Sequence, residues 1–141
     1  MARRKADLRR FYRDVAARAE SRCEYCRAPE SLFPHRLSVD HVVPESRGGS
    51  TSLENLALGC YACQQSKCAC QTGRDPVKQQ QIPLFNPRRQ RWSLHFRWSR
   101  DGLRIEGLTA VGRATIARLD LNSHRQVTAR RRWKQHPDLF P

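Results

Sequence analysis

Four cysteines in two C-x2-C pairs, Cys23/Cys26 and Cys60/Cys63, bracket a short run that holds Asp40, His41 and Asn55. Each pair presents two thiolates to one ion, and four thiolates complete the closed tetrahedral shell of a structural zinc. The 33 residues between Cys26 and Cys60 are too many for a compact zinc ribbon, so the pairs read as a frame around an insert. Inside that frame sit a carboxylate, an imidazole and an amide. Such a set suits a second divalent ion and a water that attacks a phosphodiester. His41 has the right type for a general base, since an unperturbed imidazole titrates at about 6.5. Asp40 is the expected ligand of the cation, placed on the opposite side of a strand from its neighbour. One Mg²⁺ or Mn²⁺ there would stabilise the charge that develops on the phosphate and the leaving oxygen.

These groups need elements to hold them. Leu8, Phe11, Tyr12, Val15 and Ala19 fall at helical spacing, which predicts an amphipathic helix over residues 6–21 that delivers the chain into the first cysteine pair. The β-branched run from Leu37 to Val43 predicts a strand that Pro44 ends. A glycine-bearing loop, Ser46 to Thr51, leads to a second apolar run, Leu53 to Leu58, and a short helix is expected from Tyr61. Residues 71–90, with three consecutive glutamines among Pro76, Pro83 and Pro87, read as an extended connector. Beyond it, Trp92, Leu94, Phe96 and Trp98 alternate with polar residues ahead of an Asp101-Gly102 turn, which predicts a β-hairpin with that stripe as its core. Thr109 is placed to cap a helix reaching about Leu121, and Asn122 or Ser123 to cap another that carries Val127 and Trp133. The fold class expected is α+β: a basic N-terminal helix (1–22), a ββα-metal core stapled by four cysteines (23–70), the connector (71–90) and a basic hairpin-helix extension (91–141).

The net charge of +14 is unevenly spread. Residues 1–36 carry 10 basic side chains against 5 acidic, residues 37–85 carry 4 against 4, and residues 86–141 carry 13 against 4. Basic flanks around a neutral centre suit a polyanion held at the edges and cut in the middle. DNA is the partner this implies, with RNA open to the same chemistry. No apolar run approaches the roughly 20 residues that span a membrane. Six cysteines beside an N-terminus without a secretory apolar stretch point to a reducing, cytoplasmic setting and to thiols kept as metal ligands. Cys68 and Cys70 are then spare thiols near a helix end.

In order and spacing, Asp40-His41-Val42-Val43-Pro44, Arg47-Gly48-Gly49, Glu54-Asn55-Leu56 and Cys60-x2-Cys63-x3-Lys67 resemble the HNH (His-Me finger) endonucleases, in the branch clamped by a four-cysteine zinc. The resemblance implies a metal-dependent endonuclease with His41 as general base and Asp40 as metal ligand. It implies further that Asn55 orients the loop carrying the histidine, and that Gln64 stands where the second ligand of the catalytic ion belongs. Two departures accompany it. Gln64 replaces the usual His or Asn, and Cys68 follows Lys67 where such sequences often have glycine. Arg47, Lys67 and the run Arg130-Arg131-Arg132 are the candidate phosphate contacts. The rival readings are a catalytically silent nucleic-acid-binding zinc module and a subunit that cuts within a larger nuclease assembly.

Overall fold

The computed structural model describes residues 7–139. The basic residues ahead of Asp7 that the helix expectation included lie outside them. A 3-10 turn over Arg9–Phe11 leads into helix α1 (Tyr12–Arg18). Val15 and Ala16 are its buried residues, and the flanking Leu8 and Ala19 are buried with them, the stripe that a 3.6-residue period aligns. The helix is shorter than the sequence period suggests, because Glu20 and Ser21 both take φ of +54° and turn the chain toward the cysteines.

Strand β1 (Ser38–His41) pairs antiparallel with β2 (Leu56–Gly59), with Asp40 opposite Ala57 and His41 opposite Leu56. Every residue of β2 is buried, which suits a strand packed between α1 and the first cysteine pair. Arg18 fixes α1 to this ribbon by donating to the carbonyls of Leu53 and Leu56 at 2.8 and 2.7 Å. Helix α2 (Tyr61–Lys67) follows Cys60 directly and completes the ββα unit.

The expected connector is instead a second hairpin, β3 (Thr72–Arg74) with β4 (Gln81–Pro83). It lies against a helix of the extension, where buried Asp75 takes two hydrogen bonds of 2.9 Å from Arg113. Pro76 sits in the hairpin's turn and Pro83 at the end of β4, so neither marks an unpaired segment. The third hairpin is also shorter than its alternation suggests. Trp92–His95 form one helical turn, α3, before β5 (Phe96–Trp98) pairs with β6 (Ile105–Gly107). Leu94 therefore leaves the stripe and is 63% exposed. Trp92 stacks near Phe96 and Trp98, at ring distances of 5.1 and 5.6 Å.

Helix α4 (Ala110–Leu119) is capped by the Thr109 hydroxyl, which accepts from the Gly112 amide. It stops when Asp120 turns left-handed. Helix α5 (His124–Trp133) is capped by Ser123 and buries Trp133 against Trp98. The extension joins the cysteine-bearing half through contacts of α4 with α2 and the Trp92 indole donating to the Tyr25 carbonyl at 2.9 Å, and Arg88, just ahead of the extension, forms an ion pair with Glu24. One apolar cluster runs from Val15 through Leu58 to Trp133. Among the described residues, no helix is long and apolar enough to cross a membrane.

Candidate active site and metal centre

Cys23, Cys26, Cys60 and Cys63 are buried with their sulfurs all within 4.8 Å of one another. The Cys26 and Cys60 sulfurs lie 3.7 Å apart, far beyond the roughly 2.05 Å of a disulfide. Two thiolates bonded to a tetrahedral zinc at about 2.3 Å would sit about 3.8 Å apart, so the cage fits that shell. Docking of the first pair on β2 makes this closure: Glu24 donates its amide to the Leu58 carbonyl at 2.9 Å, and its carboxylate accepts the Leu58 amide at 2.8 Å. Burial opposes ionisation of Cys23, but hydrogen bonds from Cys26, Cys60 and Cys63 outweigh it and hold that thiol well below its ordinary value. Cys26 and Cys63 are pushed well above theirs, chiefly by Cys23. A cation bound among them would favour the thiolate form of all four.

A few residues away, a narrow crevice is lined by Tyr25, Asp40, His41, Ala57, Gln64, Lys67 and Cys68. Asp40 and His41 both reach it because β1 ends at His41, so strict alternation does not separate them. Asp40 Oδ1 accepts the His41 amide at 2.8 Å and lies 3.9 Å from His41 Nδ1. On the imidazole's other side, Nε2 is 2.9 Å from Thr51 Oγ1 and 3.6 Å from Glu45 Oε1. Gln64 donates Nε2 to the Ser38 carbonyl at 2.8 Å, which leaves its Oε1 as the amide atom able to accept or ligate.

Asn55 closes the loop after the histidine. Its Nδ2 donates to the carbonyls of Val43 and Ser50, both at 2.9 Å, and its Oδ1 accepts the Val43 amide at 3.0 Å. Gly49 lets this loop approach: a Cβ there would fall 1.8 Å from the Val43 carbonyl oxygen.

The candidate phosphate contacts separate. Arg47, Arg131 and Arg132 are exposed. Lys67 is only 5% exposed, and its ammonium donates to the Val42 carbonyl at 2.9 Å. Burial lowers its pKa while Asp40 opposes that shift, so it braces the end of β1 from within. Arg130 corrects the reading of three arginines as one patch. It is wholly buried and donates to the carbonyls of Leu103 and Leu121 and to Asn122 Oδ1. Consecutive helical residues are about 100° apart, so three in a row do not share one face. Burial lowers the Arg130 pKa, and Cys26, Cys63 and Cys60 oppose the shift, which places the guanidinium in the field of the thiol cluster.

Thr51 and Glu45 carry no sequence signal as site residues; one lies in the glycine-bearing loop and the other follows Pro44. Only the return of that loop over His41 brings them in.

A two-stranded ribbon and helix, closed by a thiol cage beside an Asp-His crevice, define a ββα-metal unit. Residues 23–69 match the HNH endonuclease family. Over 64 residues the chain is 38% identical to the CRISPR-associated endonuclease Cas9 of Corynebacterium diphtheriae. That stretch covers 45% of this chain and 6% of the relative, so the chain spans a small part of that protein's length. No solved structure matches the chain.

Proposed function

We propose that the protein is a metal-dependent endonuclease that hydrolyses DNA phosphodiester bonds. The observation that carries this reading is the crevice in which Asp40, His41 and Gln64 meet, inside the HNH segment. His41 takes the proton from the attacking water. Asp40 and the Gln64 Oε1 are the groups that would hold a Mg²⁺ or Mn²⁺ ion, a fit supported by a carboxylate and an oriented amide lining one crevice. Such an ion supplies charge stabilisation to the phosphate and the leaving 3′-oxygen. Asn55 orients the histidine's loop, and Lys67 acts as its brace. Zinc is the ion for the four-cysteine cage, because four thiolates are its structural donor set. Exposed Arg47, Arg131 and Arg132 grip phosphates, fixing position without reading sequence.

A plasmid-nicking assay with Mg²⁺ or Mn²⁺ tests the proposal. The wild type should nick, and His41→Ala should lose about 100-fold or more of the rate while still binding DNA. Binding without nicking in the wild type would favour the silent module. The small share of the relative covered by the match favours a further reading, in which the chain cuts within a larger assembly. Isolated protein would then be inert and the assembled complex active.

A further inference from the structure

The loop over His41 holds a chain of hydrogen bonds whose direction can be read. Thr51 Oγ1 is 2.9 Å from Glu45 Oε1 and 2.9 Å from His41 Nε2. A carboxylate only accepts, and a threonine hydroxyl has one proton. Once that proton is given to Glu45, Thr51 meets the imidazole as an acceptor. Nε2 must then carry a hydrogen, which leaves the Nδ1 lone pair bare. Nδ1 stands 3.9 Å from the nearer Asp40 oxygen, too far for a hydrogen bond to hold it. The imidazole is 8% exposed, so its surroundings in the fold, and not bulk solvent, decide which nitrogen carries the hydrogen.

We infer that Thr51, with its hydroxyl aimed by Glu45, is a positioning residue that locks His41 in the Nε2–H tautomer and so presents Nδ1 as the base. This deepens the nuclease reading and rests on it only for the word base; the tautomer is a property of the folded protein without substrate or divalent ion. The orienting group of a catalytic histidine selects the reactive nitrogen in this way generally. Neither Thr51 nor Glu45 needs to touch DNA.

The test uses the full chain with its cysteine cage loaded with zinc, ¹⁵N-labelled at histidine, without Mg²⁺ or Mn²⁺. Long-range ¹H–¹⁵N spectra, recorded well above the ordinary imidazole pKa of about 6.5, distinguish a protonated from a bare ring nitrogen. The wild type should show His41 protonated at Nε2. Thr51→Val, of similar shape but without a hydroxyl, should lose that single tautomer, whereas Thr51→Ser should retain it. Glu45→Ala, a change at an exposed site, should admit the Nδ1–H form because the hydroxyl proton can then turn to Nε2. A wild type protonated at Nδ1, or a tautomer unmoved by both Thr51→Val and Glu45→Ala, overturns the inference. In the nicking assay Thr51→Val should lower kcat about 10- to 100-fold with KM for DNA within about twofold; an unchanged kcat counts against the lock. If the tautomers behave as stated while the wild type and His41→Ala are equally inert with DNA, the lock stands and the nuclease reading fails.

Discussion

Cys68 occupies a backbone position that its side chain disfavours. It ends α2 with φ of +50° and ψ of −134°, a region that glycine enters freely and other residues enter at a cost of about 1–3 kcal/mol. The glycine often found after the lysine in HNH sequences thus has a local reason here. Its exposed thiol donates to the Gln65 carbonyl at 2.7 Å. Cys68→Gly should raise stability by about 1 kcal/mol, visible as a Tm a few degrees higher, and Cys68→Ala should not. Equal Tm values for both variants would show that the backbone carries no strain. Gln64, the neighbouring departure, is held by Ser38. Its longer stem is matched to a specific anchor on β1.

Among the elements, the β3–β4 hairpin is tied to α4 by an ion pair. Asp75 is buried between hairpin and α4, and the Arg113 guanidinium holds its carboxyl well below the usual carboxylate range. A group whose folded pKa is depressed adds stability that is complete above its unfolded value of about 3.9 and fades as pH falls through the folded one. Asp75→Asn should therefore lower the Tm at neutral pH. The gap to wild type should begin to narrow below about pH 4. Thermal unfolding across acidic buffers checks this, and a gap that widens on acidification would contradict it. Helix α5 is bound by a comparable device. Arg130 ties it to Leu103, Leu121 and Asn122, and lays its guanidinium 5.6 Å from the Trp98 ring.

Across the whole molecule, the HNH segment and the extension share one apolar cluster, and the four-cysteine cage lies within it. Loss of the cage should then be felt throughout. Cys23→Ser, or removal of zinc by a chelator, should unfold both halves in a single transition, because structural zinc binding is folding free energy. Circular dichroism and the fluorescence of the extension's three tryptophans report it together; tryptophan packing that survives after Cys23→Ser would separate the halves. His41→Ala should leave this transition in place. The charge pattern makes a separate claim. DNA affinity should fall about 100-fold between roughly 50 and 200 mM salt, the loss that about four phosphate contacts produce. A flat response would remove the exposed arginines from the interface.

Donor chemistry was legible in the residues alone: Cys23, Cys26, Cys60 and Cys63 announce a cage by type and spacing, and Asp40, His41 and Asn55 announce a site by their place within it. The ββα order, the Thr109 cap, a cap at Asn122 or Ser123 and the Asp101-Gly102 turn were equally readable, because each depends on neighbours in the chain. What stayed hidden depends on contacts between distant segments. Which arginine of the 130–132 run turns inward follows from how α5 docks. Whether residues 71–90 pair into a hairpin follows from Arg113, and Trp92–His95 became a helical turn where alternation alone argued for a strand. The company of Thr51 and Glu45 around His41 exists only once the loop after Pro44 folds back, since no local spacing encodes a hydrogen bond across ten residues of irregular chain.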